Sequence, residues 1–348
     1  MIMSAAAETE TLPPAVLLLC SSCSCSKAVV SPSSKLVCGR CRHTAYCSKD
    51  CQAHHWPLHR AVCSPNFELC EASCGKGLRA LKSFHIGEEI FREVATLRIP
   101  NNQSAATREE AELMHVQAVQ SAFEKLAPSK QRAVMDLSVC DQWLVAGLPT
   151  PHGVFQTNSY RLKGEEDGGI CLAQARINHS CRPNVSHAWR SDLQKSVVFA
   201  TRAVAAGEEL FTTYGPSECL DTAGRRAYLQ DGFSFHCMCE MCTDAQGDDR
   251  MVQLHDLHAS LPTVVREGRH QLAILIIDQC IDLLCEQGIG SGVFTMPLFH
   301  YGYQVALMGL KDKNLARAYL LRQIEAVSQC EGVGCPEAVR LGQLLPIK

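Results

Sequence analysis

The chain has 348 residues, 46% of them hydrophobic and 20% charged, with a formal net charge of -3 at pH 7. This composition excludes a disordered or fibrous protein and supports a large core divided, at this length, into two or three domains. So even a charge balance excludes a global field drawing the chain onto nucleic acid or an anionic membrane; the expectation is a monomer that binds neither directly.

Glu8 and Glu10 stand where a secretory signal would be basic, and the apolar run from Ala15 to Leu19 is too short for a signal core or a membrane span. The expected location is cytoplasmic, nuclear or both. In such a chain 21 cysteines indicate zinc ligands and buried thiols, not a disulfide framework.

Residues 1–17, rich in Ala, Thr, Glu and Pro, read as a loose tail, and residues 18–65 as a Cys/His-rich zinc finger. Cys38-x2-Cys41, Cys47-x3-Cys51 and His59-x3-Cys63 supply six ligands at regular intervals; Cys20-x2-Cys23 makes eight, enough for two tetrahedral zinc ions. A segment this short cannot bury enough apolar surface to fold alone, so metal binding must supply the missing free energy. The cluster lacks the terminal CxxC pair of a RING finger. Tyr46-Cys47-Ser48, Gln52, Trp56 and His59 resemble the MYND finger, mostly a protein-binding module. The resemblance implies interleaved ligands: Cys20, Cys23, Cys47 and Cys51 on one ion, Cys38, Cys41, His59 and Cys63 on the other, with Cys25 an alternative upstream ligand.

From Phe67 to Pro100 the pattern becomes β-like, with strands at Leu78 to Leu81 and Glu89 to Val94 and a turn at Ile86-Gly87. Thr107 with Glu110 is a capping-box signature, and Leu113, Val116, Val119, Phe123 and Leu126 follow at helical spacing, predicting a helix that ends at Pro128. A second apolar stretch, Ala133 to Val145, continues this helical insertion, bounded at about 104–147. Strands are expected again at Gly153 to Leu162 and Ser196 to Thr201. Beyond Cys242 three helices are expected, at 269–287, 295–309 and 314–330. Their apolar positions are Leu275, Ile281 and Leu284; Leu298, Tyr301, Val305 and Met308; and Leu315, Tyr319 and Ile324. Gly288, Gly309 and Gly332 would cap them.

Five short segments occur in order: Gly75-Lys76-Gly77-Leu78, Ile86-Gly87-Glu88-Glu89-Ile90, Gln156-Thr157-Asn158-Ser159-Tyr160, Asn178-His179-Ser180-Cys181-Arg182-Pro183-Asn184, and Gly207-Glu208-Glu209 followed by Tyr214. Together they resemble the core of SET-domain methyltransferases, and with the finger the chain resembles the SET and MYND domain family of protein-lysine methyltransferases. The implied fold is α+β: an N-terminal MYND finger, a β-rich SET fold at 66–244 whose Asn178 to Cys181 segment passes beneath Gly207 to Gly215 in a pseudoknot, and a post-SET zinc site at about 232–244. A C-terminal α-helical region, like tetratricopeptide repeats, would occupy 250–348. In the animal members the finger is inserted after the first glycine motif, whereas here it precedes Gly75.

The resemblance also implies the chemistry: transfer of a methyl group from S-adenosylmethionine to a lysine ε-amine of a histone or other protein, in a narrow channel. Gly75, Lys76, Gly77, Asn158, Asn178, His179 and Tyr214 would contact the cofactor, Phe235 would flank its adenine, and Tyr160 and Phe233 would line the lysine channel. Tyr214 would be catalytic, orienting the amine and polarising the methyl. At pH 7 neutralising a lysine costs roughly 4 kcal/mol, which the sulfonium charge and a dry channel both reduce. Cys237-x-Cys239-x2-Cys242 supplies three thiolates, and by resemblance to the post-SET region Cys181 is the fourth, giving three zinc ions in all. The alternative is an inert adaptor whose finger and helices bind partners, for example in transcriptional regulation.

Overall fold

The computed structural model describes residues 18–19, 28–29, 36–39, 45–63, 65–72, 75–100, 107–162, 166–215, 221–290 and 292–345. The chain divides into two units, Met1–Pro65 and Asn66–Lys348. No helix among the described residues is long and apolar enough to cross a membrane.

The first unit has two small antiparallel ribbons, β1 (Leu18–Leu19) with β2 (Ala28–Val29) and β3 (Leu36–Val37) with β4 (Ala45–Tyr46), followed by α1 (Lys49–Val62). Ser48 starts the helix: its backbone is extended and its hydroxyl accepts the Cys51 N–H at 3.1 Å. Buried apolar material among the described residues amounts to Tyr46, Cys38 and Cys63, so the fold leans on its metal ligands.

The second unit opens with the hairpin β5 (Phe67–Ala72) and β6 (Gly75–Ala80), then β7 (Glu89–Glu93) and β8 (Leu97–Pro100). The helical insertion follows as α2 (Arg108–Glu124), capped by Thr107 Oγ1 accepting from the Glu110 N–H, and α3 (Pro128–Met135). Next come α4 (Pro151–Asn158), β9 (Glu166–Ile170), β10 (Asn178–His179), β11 (Val185–Arg190), β12 (Lys195–Ala200) and β13 (Phe211–Thr212). β11, β12 and β7 form one antiparallel sheet, and β8 pairs with β9.

The topology that builds the site is the crossing at β13. Residues 207–212 are hydrogen-bonded on one side to β6, through Gly207 N to Ala80 O and Leu210 N to Leu78 O. On the other side β13 runs parallel to β10, with Ser180 N donating to Thr212 O and Asn184 N to Phe211 O. Asn184, fully buried, locks the crossing: its amide donates to Glu209 O and its Oδ1 accepts the Phe211 N–H. Leu78, Ile90, Ile177, Val198 and Leu210 pack beneath it in one core, and Val119, Val134, Val154, Phe155 and Ile170 join the insertion to the β8–β9 pair in a second.

The C-terminal helices are α5 (Thr222–Phe233), α6 (Glu240–Thr243), α7 (Ala245–Arg266), α8 (His270–Glu286), α9 (Gly292–Gln304) continuing into a π turn at Val305–Gly309, α10 (Lys313–Glu331) and α11 (Pro336–Gly342). α10 docks on the central sheet through its last turn, where Cys330 O accepts from Ser186 Oγ and Glu331 O from the buried Arg190 guanidinium.

Three expectations need correction. The stretch 153–162 is not a strand: Thr150 caps and Pro151 starts the helix α4, which places Val154 and Phe155 against the insertion core. Leu275 and Met308 are 65% and 68% exposed. At 3.6 residues per turn, nine residues carry Leu275 to the side of α8 opposite Leu284, and the buried stripe runs through Ile277, Ile281 and Leu284 instead. Gly309 is not a C-cap but the last residue of the π turn; a side chain there would meet the His270 ring.

Candidate functional site

A cavity of about 440 Å³ lies where the crossing meets the insertion and the end of α5. It is lined by Lys76, Asn158, Tyr160, Asn178, His179, Tyr214, Phe233 and Phe235, the expected site residues, by Thr157 of the same motif as Asn158, and by Arg176, Cys140 and His187, which the sequence does not mark. Its size is that of a small-molecule site.

Each wall has a local cause. The last turn of α4 is tied to the loop after α3: Asn158 Nδ2 donates to Ser138 O at 2.7 Å and to Val154 O at 2.8 Å, while Thr157 Oγ1 accepts the Cys140 N–H. Ser234 adopts a left-handed conformation, φ 58°, that ends α5 and sends Phe233 and Phe235 into the same cavity. Phe233 packs on Tyr214 with ring centroids 4.8 Å apart, and Phe235 meets Tyr214 edge-on at 6.3 Å. Lys76 Nζ contacts both Asp136 oxygens at 2.9 Å and Arg176 bonds the same carboxylate. The Lys76 hydrogen bond, with the Arg176 charge, holds the Asp136 carboxyl below its usual range.

Gly75 and Gly77 are not among the lining residues. A Cβ on Gly77 would stand 2.5 Å from Glu209 Oε1 and 2.8 Å from Asn178 Nδ2, atoms themselves hydrogen-bonded at 2.7 Å. Gly77 thus admits the Asn178 side chain that lines the cavity, and Gly75 takes a positive φ of 97° with open space around it.

Tyr214 and His179 are mutually fixed. Tyr214 N–H donates to His179 Nδ1 at 3.1 Å, so the neutral ring carries its proton on Nε2, which faces Cys181 Sγ at 3.3 Å. Burial pushes the His179 pKa down to about 4, keeping the ring neutral at pH 7. Tyr214 Oη donates to Ile177 O at 2.9 Å and Tyr160 Oη to Gln174 O at 3.3 Å. Burial, with Tyr214 beside it, pushes the Tyr160 phenol far above its ordinary pKa, so it stays a neutral donor.

Next to this cavity the Sγ atoms of Cys181, Cys237, Cys239 and Cys242 all lie within 4.8 Å of one another, Cys181 and Cys242 at 3.6 Å. A tetrahedron with Zn–S bonds of about 2.3 Å has edges of about 3.8 Å, so an all-sulfur set of this size fits zinc. Arg226 braces it by donating to Cys237 O and Cys242 O. In the finger, the ligand atoms of Cys38, His59 and Cys63 converge in the same way, and Cys47 Sγ and Cys51 Sγ are 3.3 Å apart. The remaining expected ligands Cys20, Cys23 and Cys41, and the alternative Cys25, lie outside the described residues.

The donor set of the cavity also fits S-adenosylmethionine. Lys76 and Arg176 are cations suited to a ligand carboxylate, and Phe233, Phe235 and Tyr214 offer ring faces to a base or a sulfonium.

The SET domain family model matches residues 75–215 and the MYND finger model residues 16–63. The chain thus carries a MYND finger followed by a SET domain, the pair of domains found in the SET and MYND domain family it resembles. Among SET and MYND relatives it is 29% identical over 238 residues to the N-lysine methyltransferase SMYD2-B of Xenopus laevis, covering 63% of this chain and 51% of that protein. Against the human N-lysine methyltransferase SMYD2 it is 26% identical over 235 residues, 63% of this chain and 50% of the other. It is also 30% identical over 169 residues to the histone-lysine N-methyltransferase set5 of Schizosaccharomyces pombe, 49% of this chain and 47% of that protein. The chain spans about half the length of these curated relatives.

No sequence motif marks His187 or Arg176. Both sit in ordinary-looking stretches, and the strand register that turns His187 inward becomes visible only from the pairing of β11 with β12.

Proposed function

We propose that the protein is an S-adenosylmethionine-dependent protein-lysine N-methyltransferase with a histone or another protein as substrate. The observation that carries this reading is the single cavity in which Asn158, Asn178, His179, Tyr214 and the aromatic residues Tyr160, Phe233 and Phe235 converge from segments far apart in sequence.

S-adenosylmethionine supplies an electrophilic methyl on a positively charged sulfur. The chain's residues supply the rest. Tyr214, its hydroxyl proton directed to Ile177 O, keeps acceptor capacity on Oη with which to orient the target amine. Asn178, held by Glu209, and Asn158, held by two carbonyls, are polar groups fixed in advance, so little order has to be created on binding. Tyr160 and Phe233 line the cavity, and a channel between them that excludes water would favour the neutral amine. Phe233 brings no hydroxyl to this wall, which leaves room for more than one methyl addition. Three zinc ions are proposed, two in the finger and one on the Cys181 set, with the finger recruiting a protein partner.

Incubation with radiolabelled S-adenosylmethionine and a mixed protein extract, followed by mapping of labelled lysines, tests the reading. Labelled lysines that vanish with Tyr214→Phe support it. Absence of both labelling and S-adenosylhomocysteine binding defeats it and leaves the adaptor.

A further inference from the structure

His187 sits on β11, opposite Val198 of β12, and its ring lines the cavity. It packs edge-on against Tyr160 with centroids 4.5 Å apart, beside the residues assigned to the lysine channel. Its Nδ1 is shut off from solvent and has no hydrogen-bond partner. Burial alone pushes its pKa down to about 4; no carboxylate or cation contributes. The ring is therefore neutral at pH 7, with one lone-pair nitrogen and one N–H. With Nδ1 sealed, Nε2 is the ring nitrogen left for a molecule in the cavity, and a polar atom set in an aromatic wall calls for a partner there.

We propose that His187 is a substrate-binding residue whose Nε2 accepts a hydrogen bond from an N–H of the target lysine's nitrogen. The proposal rests on the lysine-channel reading above and deepens it. A protonated or neutral amine is the complementary ligand, because it brings a free N–H, whereas the Tyr160 and Tyr214 hydroxyls donate to Gln174 O and Ile177 O. A charge-assisted N–H to a neutral nitrogen in a dry site is among the stronger hydrogen bonds. The contact also discriminates by methyl count. A neutral primary amine has two N–H groups and a monomethylated one has one; a dimethylated amine has none, so His187 favours the first two additions and disfavours the third. With a pKa this low the ring is no proton acceptor for lysine; it holds the nitrogen and leaves the amine's lone pair for the methyl group.

The test needs no known substrate. In the full-length protein labelled with 15N-histidine and saturated with S-adenosylhomocysteine, n-butylammonium chloride serves as the lysine probe and n-butyltrimethylammonium chloride, which has no N–H, as the control. The His187 signals are assigned from their absence in His187→Asn. The expected result is a saturable shift of the His187 nitrogen signals with n-butylammonium and none with the trimethylated control. His187→Val should weaken n-butylammonium binding at least tenfold, while His187→Asn, which keeps an acceptor, should retain most of it. Unmoved His187 signals, equal shifts with both probes, or undiminished binding to His187→Val would each overturn the proposal. The first measurement uses the unmutated chain, so a variant that fails to fold does not shield it. A chain that does not bind S-adenosylhomocysteine would defeat the methyltransferase reading, while the amine contact would still stand or fall on the n-butylammonium titration alone.

Discussion

Gly77→Ala is the perturbation whose size the structure fixes best. The added Cβ would stand 2.5 Å from Glu209 Oε1, 2.8 Å from Asn178 Nδ2 and 3.1 Å from Ala72 Cβ, the first two closer than carbon tolerates. Something must move, and the amide–carboxylate bond of 2.7 Å between Asn178 and Glu209 is what lies in the way. Overpacking of this kind costs about 1–3 kcal/mol, and a lost hydrogen bond to a charged group adds roughly 1.5–3 kcal/mol. At about 2–4 °C per kcal/mol, the combined cost of about 2.5–6 kcal/mol should lower the melting temperature by roughly 5–24 °C. Gly75→Ala is the control: its φ of 97° is unfavourable for alanine but no atom lies within 4 Å, so about 1 kcal/mol and a few degrees are expected. Calorimetric titration with S-adenosylhomocysteine should show the Gly77 variant binding at least tenfold more weakly, because Asn178 leaves the cavity wall. Adding Asn178→Ala to Gly77→Ala should recover part of the melting temperature by removing one of the two clashing groups. A Gly77 variant that melts no lower than the Gly75 variant and binds as the parent does would refute this account of the glycine.

Tyr214→Phe should cut methyl transfer at least a hundredfold while S-adenosylhomocysteine affinity changes little, as radiometric assay and titration would show; unchanged turnover would remove Tyr214 from its role. Elemental analysis of the purified chain should give three zinc ions, and Cys181→Ser should lose one of them together with activity; one ion or none in the parent would contradict the ligand sets. For Asp192, burial raises the carboxyl pKa, but the hydrogen bonds and charge of Arg190 outweigh it and the net shift is downward. A depressed carboxylate contributes stability above its unfolded value of about 3.9 and loses it as pH falls through the folded value. Asp192→Asn should therefore lower the melting temperature at pH 7 and narrow the gap between pH 7 and pH 3. An undiminished gap would show that the pair is not the source.

Legibility from sequence followed the range of the forces involved. The Thr107 cap, the strands at β6, β7 and β12, and the helices α8 and α10 are set by local pattern, and each was legible. The four-cysteine set was legible too, but its fourth member, Cys181, came from family resemblance because 55 residues of chain separate it from Cys237. α4 looks like a strand in sequence because Val154 and Phe155 favour strands, whereas the Thr150 cap and Pro151 decide the start of a helix. Non-local register hid His187, and Gly77 was assigned to ligand contact when the close approach it permits is by Asn178 and Glu209. Such facts depend on which segment crosses which, information that no short window of sequence holds.

The His179 imidazole, wedged between the Cys181 sulfur and the Tyr214 amide, has a regulatory consequence. Metal loss or oxidation of the four thiols would free one end of the ring and loosen its hold on the Tyr214 backbone, while the Tyr214 hydroxyl keeps its bond to Ile177 O. On the methyltransferase reading proposed above, activity would then track zinc supply and redox state through these two hydrogen bonds.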